Sequence, residues 1–176
     1  MENNSIWQIN SKGKSNKEII TDSDILIIGG GITGLSAAYF LKDSKYTVTV
    51  IDRGIIGNGI TSKSTAKITY LQNTIYQTLE KSFNRTVSNQ YLKSQLDAIN
   101  LLTGIIEKEN IKCDLKETKA IIFTKEDKGI NKIDKEKSIL EANSISCKVI
   151  DKLPIHFPIK YGIEVDGNYT FHPVKY

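Results

Sequence analysis

Three glycines in the spacing Gly29-x-Gly31-x-x-Gly34 stand between an apolar run, DILIIG (24–29), and a helix-like stretch, GGITGLSAAYFLKD (30–43). That spacing suits a diphosphate, and each glycine has its own task. Gly29 permits a tight turn out of a strand. Gly31 has no side chain, so phosphate can approach the backbone. Gly34 lets a helix lie close against the strand, and Ala38 keeps the next turn small. Backbone amides from Gly30, Ile32 and Thr33, with the positive end of the helix dipole, then face the phosphate oxygens. Asp52 lies 23 positions after Gly29, where a carboxylate accepts hydrogen bonds from an adenosine ribose and repels a 2′-phosphate. The bland alternatives are a glycine turn with no ligand and a solvated carboxylate at a strand end. They are weakened because strand, turn, helix, second strand and acid all agree.

The elements that must hold these residues follow from hydrophobic periodicity. DILIIG reads as a strand buried on both faces. YTVTVID (46–52), rich in β-branched residues, is a second strand, so the unit is βαβ with a parallel pair. RGIIGNGITSKSTAKIT (53–69) is a small-residue loop ending in a short helix. Helices are predicted over 72–84 and 86–109, the second presenting Val87, Tyr91, Ile99, Leu102 and Ile106 on one face. A strand near 114–124, a charged and solvated helix near 127–142 and a short strand at 146–150 come next. LPIHFP is a Pro-bounded connection. YGIEVDGNYTF (161–171) reads as a hairpin turning at Asp166-Gly167. HPVKY then reads as the start of a further element. Residues 1–23 form an irregular leader in which Trp7 and Ile9 are candidates to tack it onto the domain.

The pairing DILIIGGGITGLSAAYFL, VTVIDRG and GNGITSKSTAKIT resembles the FAD-dependent oxidoreductases of the D-amino-acid oxidase superfamily, which includes glycine, sarcosine and glutamylputrescine oxidases. The resemblance is sharp over 24–69. It implies that Gly29, Gly31 and Gly34 hold the FAD pyrophosphate, that Asp52 holds the ribose, and that Arg53 lies beside the adenine end. It places Thr61, Ser62, Ser64, Thr65, Ala66 and Lys67 in a loop under the pyrophosphate and along the flavin. Small residues there let the backbone approach, hydroxyls donate to phosphate, and Lys67 balances charge. A solvated Ser/Thr-rich turn is the alternative for this loop. Lys63 stands where relatives often carry His, so covalent flavin attachment at this position is not expected.

Composition bounds the rest. The chain has 176 residues and net charge +4, with lysines dispersed rather than clustered, which does not imply nucleic acid. No signal peptide and no membrane-length apolar run is present, so a cytoplasmic location is expected and the sequons at Asn3, Asn84 and Asn168 read as chance matches. Cys113 and Cys147 read as free thiols with no metal spacing around them. His156 and His172 read as ordinary partly exposed residues. Tyr70, Tyr76, Phe83 and Tyr91 read as core.

The fold class is therefore α/β: a Rossmann-like FAD-binding domain at 24–110, after the 1–23 leader, and the beginning of a mixed-sheet substrate domain at 111–176. The expected activity is oxidation of a C–N bond in an amine or amino acid by hydride transfer to FAD. No catalytic acid or base can be assigned, and no metal is expected. The resemblance implies that about half of a family member lies beyond residue 176, so the chain alone is expected to bind FAD weakly. An NAD-binding dehydrogenase domain and a non-catalytic remnant are the rival readings.

Overall fold

The computed structural model describes residues 5–7 and 22–176. Most of the expected leader, Ile9 included, lies outside them. The chain divides into two compact units, Met1–Ala66 with Phe171–Tyr176, and Lys67–Thr170. Helices that sequence reading groups with the cofactor domain thus fall in the second unit. No described helix is long and apolar enough to cross a membrane.

In the first unit, β1 (Ile25–Ile28) pairs in parallel with β2 (Val48–Ile51), Ile25 opposite Val48 and Ile28 opposite Ile51. Helix α1 (Ile32–Leu41) connects them. β-Branched residues fill both strands, as extended backbone favours. The expectation that β1 is buried on both faces is not met. Ile25 and Ile27 are half-buried, while Leu26 is 53% and Ile28 81% exposed. The cause is coverage: Ile27 lies beside Gly34 of α1, and no described residue buries the opposite face.

In the second unit a long strand, β6 (Pro158–Thr170), organises an antiparallel sheet. β4 (Lys116–Thr124) pairs along one side of it. β3 (Lys67–Ile68) and β5 (Lys148–Lys152) pair with it as well. Helices α2 (Ile75–Ser82), α3 (Arg85–Lys108) and α4 (Asp127–Ala142) pack together, and α4 also packs on β4 and β6. Tyr70, Tyr76, Leu92, Ile99, Ile133, Leu140, Ile163 and Val165 form the core. α3 starts where the Asn84 side chain accepts the Val87 amide at 3.0 Å, an N-cap that satisfies one orphan donor. Its inward residues are Ser88, Leu92, Ile99 and Ile106, so the expected stripe is rotated by about one residue at its start.

Several expectations need correction. The Asp166-Gly167 pair is not a hairpin turn, because β6 runs straight through it. Thr118 pairs with Asn168 and Ala120 with Val165, so Asp166 and Gly167 together oppose Lys119 alone. This is a β-bulge. Gly167 has φ +74° and Asp166 keeps a negative φ, whereas a type I′ turn needs both positive. The 53–69 loop does not end in a helix: its single 3₁₀ turn is Thr61–Lys63, and the segment ends as β3. Phe83 is not core but 67% exposed at the break between α2 and α3. Nor is α4 only a solvated face. Its Glu136 is fully buried, accepting the amides of Tyr76 at 3.0 Å and Gln77 at 2.8 Å. The carboxyl side chain thus caps the start of α2, satisfying amides that the helix cannot satisfy itself. Neither cysteine is in a disulfide, and Cys113 is buried while Cys147 is half-buried.

Candidate dinucleotide site

The glycine turn is built as its residue types require. Gly29 sits at φ +114°, a conformation L side chains rarely adopt. Its amide donates to the Ile51 carbonyl at 2.7 Å, tying the turn to the end of β2. Gly31 is the N-cap of α1 and supplies no side chain to it. A Cβ on Gly34 would stand 2.0 Å from the Gly29 carbonyl oxygen, so only glycine lets α1 leave the strand so closely.

The donors that this turn offers come in two groups. The Gly30 amide is held by Asp52 Oδ2 at 2.8 Å and the Ile32 amide by Thr61 Oγ1 at 3.0 Å. Among the described residues no acceptor faces the amides of Gly31, Thr33 or Gly34. These groups stand at the positive end of α1, where an anion is favoured. Thr61 Oγ1 also lies 3.1 Å from where a Cβ on Gly31 would be. Having accepted from Ile32, this hydroxyl keeps its own proton to donate to an anion.

Asp52 does more than sequence reading assigns to it. Oδ2 accepts from Gly30 and Oδ1 from Gly54, both at 2.8 Å, so the carboxylate shapes the turn itself. These backbone bonds, Gly54 first and Gly30 next, hold its pKa below the ordinary carboxylate value, with Arg53 adding to the effect. Each carboxylate oxygen has a second lone pair, so both still have capacity to accept from a ribose. The donor set and the carboxylate together suit a dinucleotide diphosphate.

The loop residues divide by where their side chains go. Ser62 is fully buried, and its hydroxyl bonds to the carbonyls of Asn58 and Gly59, each at 3.0 Å. Its proton therefore serves the loop, not a phosphate. Ser64 Oγ accepts the Ala66 amide at 3.0 Å. Ala66 is buried at φ +58°, which closes the loop sharply. Arg53 and Thr65 are exposed, and Lys67 opens β3 in the second unit, also exposed. Two contacts escaped sequence reading. Ile56 Cγ1 comes within 2.8 Å of a would-be Cβ on Gly30. The Gly57 amide donates to the Gly30 carbonyl at 2.9 Å, with Gly57 at φ +76°. Its signal was the glycine spacing in GIIGNG. Trp7, expected to tack the leader onto the domain, does reach this loop: its indole Nε1–H donates to the Ser64 carbonyl at 3.0 Å.

A profile of the FAD dependent oxidoreductase family (DAO) matches residues 24–176. Among curated proteins, a Bacillus subtilis (strain 168) protein named for a Rieske 2Fe-2S iron-sulfur centre, YhfW, is 31% identical over 156 residues, which is 89% of this chain and 31% of the relative. FAD-bound L-α-glycerophosphate oxidase from Mycoplasma pneumoniae superposes with TM-score 0.66 at 19% identity, covering 86% of this chain and 39% of that one. Glycine oxidase from Geobacillus kaustophilus gives TM-score 0.65 at 13% identity over 87% and 41% of the two chains. L-Proline dehydrogenase from P. horikoshii gives 0.65 at 18% over 89% and 40%. The chain thus spans between about a third and two fifths of these relatives' lengths.

Proposed function

This chain belongs to the FAD dependent oxidoreductase family, and from that premise we propose that its glycine turn, Asp52 and the Thr61–Ala66 loop hold FAD for oxidation of the C–N bond of an amine or amino acid. The observation that carries the cofactor reading is the cradle at α1: the Gly31, Thr33 and Gly34 amides, which meet no acceptor among the described residues, and the Thr61 hydroxyl beside them with a proton to give. Membership of an FAD-dependent family displaces the NAD-linked alternative.

The residues would divide the work as follows. Amides of the turn and Thr61 bind the pyrophosphate. Asp52 accepts from the adenosine ribose while holding Gly30 and Gly54 in place. Arg53, exposed next in sequence, lies at the adenine end. Ser62 and Ser64 fold the loop that carries Thr61, Thr65 and Ala66, and Lys67 stands at its end. Bound FAD supplies the hydride acceptor, and the protein supplies orientation and electrostatics. Support for the substrate class comes from the names of two structural relatives, a glycine oxidase and an L-proline dehydrogenase. The glycerophosphate oxidase is the relative that argues for a different, C–O, substrate.

The electron acceptor we infer is an iron–sulfur centre rather than oxygen, on the name of the 31% identical relative. Among the described residues no group of three or more His, Cys, Asp and Glu side chains could hold a metal ion, so the cluster's ligands, two Cys and two His in a Rieske centre, come from elsewhere. A non-catalytic role for the isolated chain is the second reading, favoured by the exposure of Leu26 and Ile28.

Anaerobic mixing of FAD-loaded protein with panels of amino acids, amines and glycerol phosphate tests the proposal. Flavin bleaching by an amino acid or amine is the expected result. Bleaching by glycerol phosphate alone would overturn the substrate class. The reduced protein then shows whether a one-electron acceptor restores the colour faster than oxygen.

A further inference from the structure

The cofactor loop is braced from two stretches of sequence far from it. On one side Trp7 donates its indole N–H to the Ser64 carbonyl at 3.0 Å, and the edge of its ring meets His172 with centroids 5.0 Å apart. On the other, the Phe171 amide donates to the Ala66 carbonyl at 3.3 Å. His172 is fixed in turn, because its carbonyl accepts the amides of Lys175 and Tyr176. Between these anchors the chain must hold Ala66 at φ +58°, a left-handed conformation that is unfavourable for an L residue. A short loop of small residues has little apolar area to fix such a conformation by itself, so external hydrogen bonds must contribute.

We propose that Trp7, seated against His172, is a positioning residue: it clamps the Ser64–Ala66 backbone in the shape that the cofactor loop needs. The sequence reading treats Trp7 as a tack for the leader and His172 as an ordinary surface residue. In the structure both act on the loop. The inference rests on the cofactor reading of this loop for its function, but the clamp itself is measurable without FAD.

Lys63, exposed and one residue before the clamped carbonyl, provides the readout. The full chain is treated with trypsin, and cleavage after Lys63 is compared with cleavage after Lys93, which lies exposed in α3. Trp7→Phe keeps a ring against His172 and removes the N–H. Its expected effect is about three- to tenfold faster cleavage after Lys63, the scale of one lost hydrogen bond, with Lys93 cleavage and thermal midpoint unchanged. His172→Ala, which leaves the indole bond and removes its edge partner, is expected to give a smaller acceleration at Lys63 only. FAD titration of the same proteins is expected to show the dissociation constant of Trp7→Phe raised by a similar factor. Unchanged cleavage after Lys63, or equal acceleration at both lysines, overturns the clamp. Faster cleavage at Lys63 alone supports it. If the wild-type chain takes up no FAD at any concentration while that acceleration is present, the cofactor reading falls and the clamp stands.

Discussion

The carbonyl oxygen of Gly29 occupies the space where residue 34 would carry its Cβ, 2.0 Å away. Backbone oxygen cannot move aside as a flexible side chain can, so the contact fixes glycine at this position. Gly34→Ala is therefore expected to destabilise the chain by about 1–3 kcal/mol, the usual range for overpacking. FAD uptake should fall with it. Urea denaturation and flavin titration together check this, and an unaltered midpoint would show that α1 leaves β1 at a wider angle.

Asp52 links acidity to the shape of the glycine turn. Its folded pKa lies below the ordinary 3.8 because Gly54 and Gly30 donate to the ionised form. The contribution to stability is thus complete above pH 3.8 and is lost as pH falls through the lower folded value. Asp52→Asn should abolish this acid dependence and weaken FAD binding, since its amide nitrogen cannot accept one of the two donors. Amide exchange at Gly30 and Gly54 across pH 2–5 would expose a carboxylate that is not engaged.

Glu136 behaves in the opposite sense. Burial raises its pKa above the ordinary 4.5, although the amides of Gln77 and Tyr76 pull it downward. The folded state then holds the proton more tightly than the unfolded chain. Stability from this group is present below pH 4.5 and declines as pH rises through the folded value. Glu136→Gln should flatten that slope and keep one acceptor for α2. Glu136→Ala should cost about 1–3 kcal/mol for each amide left without a partner. Thermal unfolding of the three proteins between pH 4 and 8 separates these cases.

Ala66 and Gly167 share a left-handed backbone and should respond differently to substitution. Ala66→Gly relieves the conformation at φ +58° and is expected to be neutral or to stabilise by up to about 1 kcal/mol, whereas Ala66→Val should destabilise by at least that much. At Gly167 a Cβ would meet nothing nearer than Tyr70 Cε1 at 3.9 Å. The expected loss of about 1 kcal/mol in Gly167→Ala is therefore wholly a backbone effect. A loss well beyond that would mean that the bulge itself had collapsed and the register of β6 had slipped.

What the sequence made legible was local. The β1–α1–β2 unit follows from glycine spacing and β-branched runs within some thirty residues, and α4 falls where its periodicity put it. Contacts made across the chain left weaker marks. Asp166-Gly167 suits both a hairpin and a bulge, and only the register of β4 against β6 decides between them. The burial of Glu136 was invisible because its partners are backbone amides, which every residue type possesses. In the candidate site, the turn and Asp52 could be read from spacing. The inward use of Ser62 could not, since a hydroxyl in a small-residue loop looks the same whether it faces a ligand or its own carbonyls.

The 67–170 stretch begins and ends at adjoining points. Lys67 and Thr170 are paired across β3 and β6, while the residues just outside, Ala66 and Phe171, are joined by a backbone hydrogen bond. An insert with its ends side by side can be lengthened, exchanged or excised without stretching its host, because loop closure there costs little. Chains of this build can therefore evolve a new chemistry in the graft while the nucleotide-holding turn is inherited unchanged.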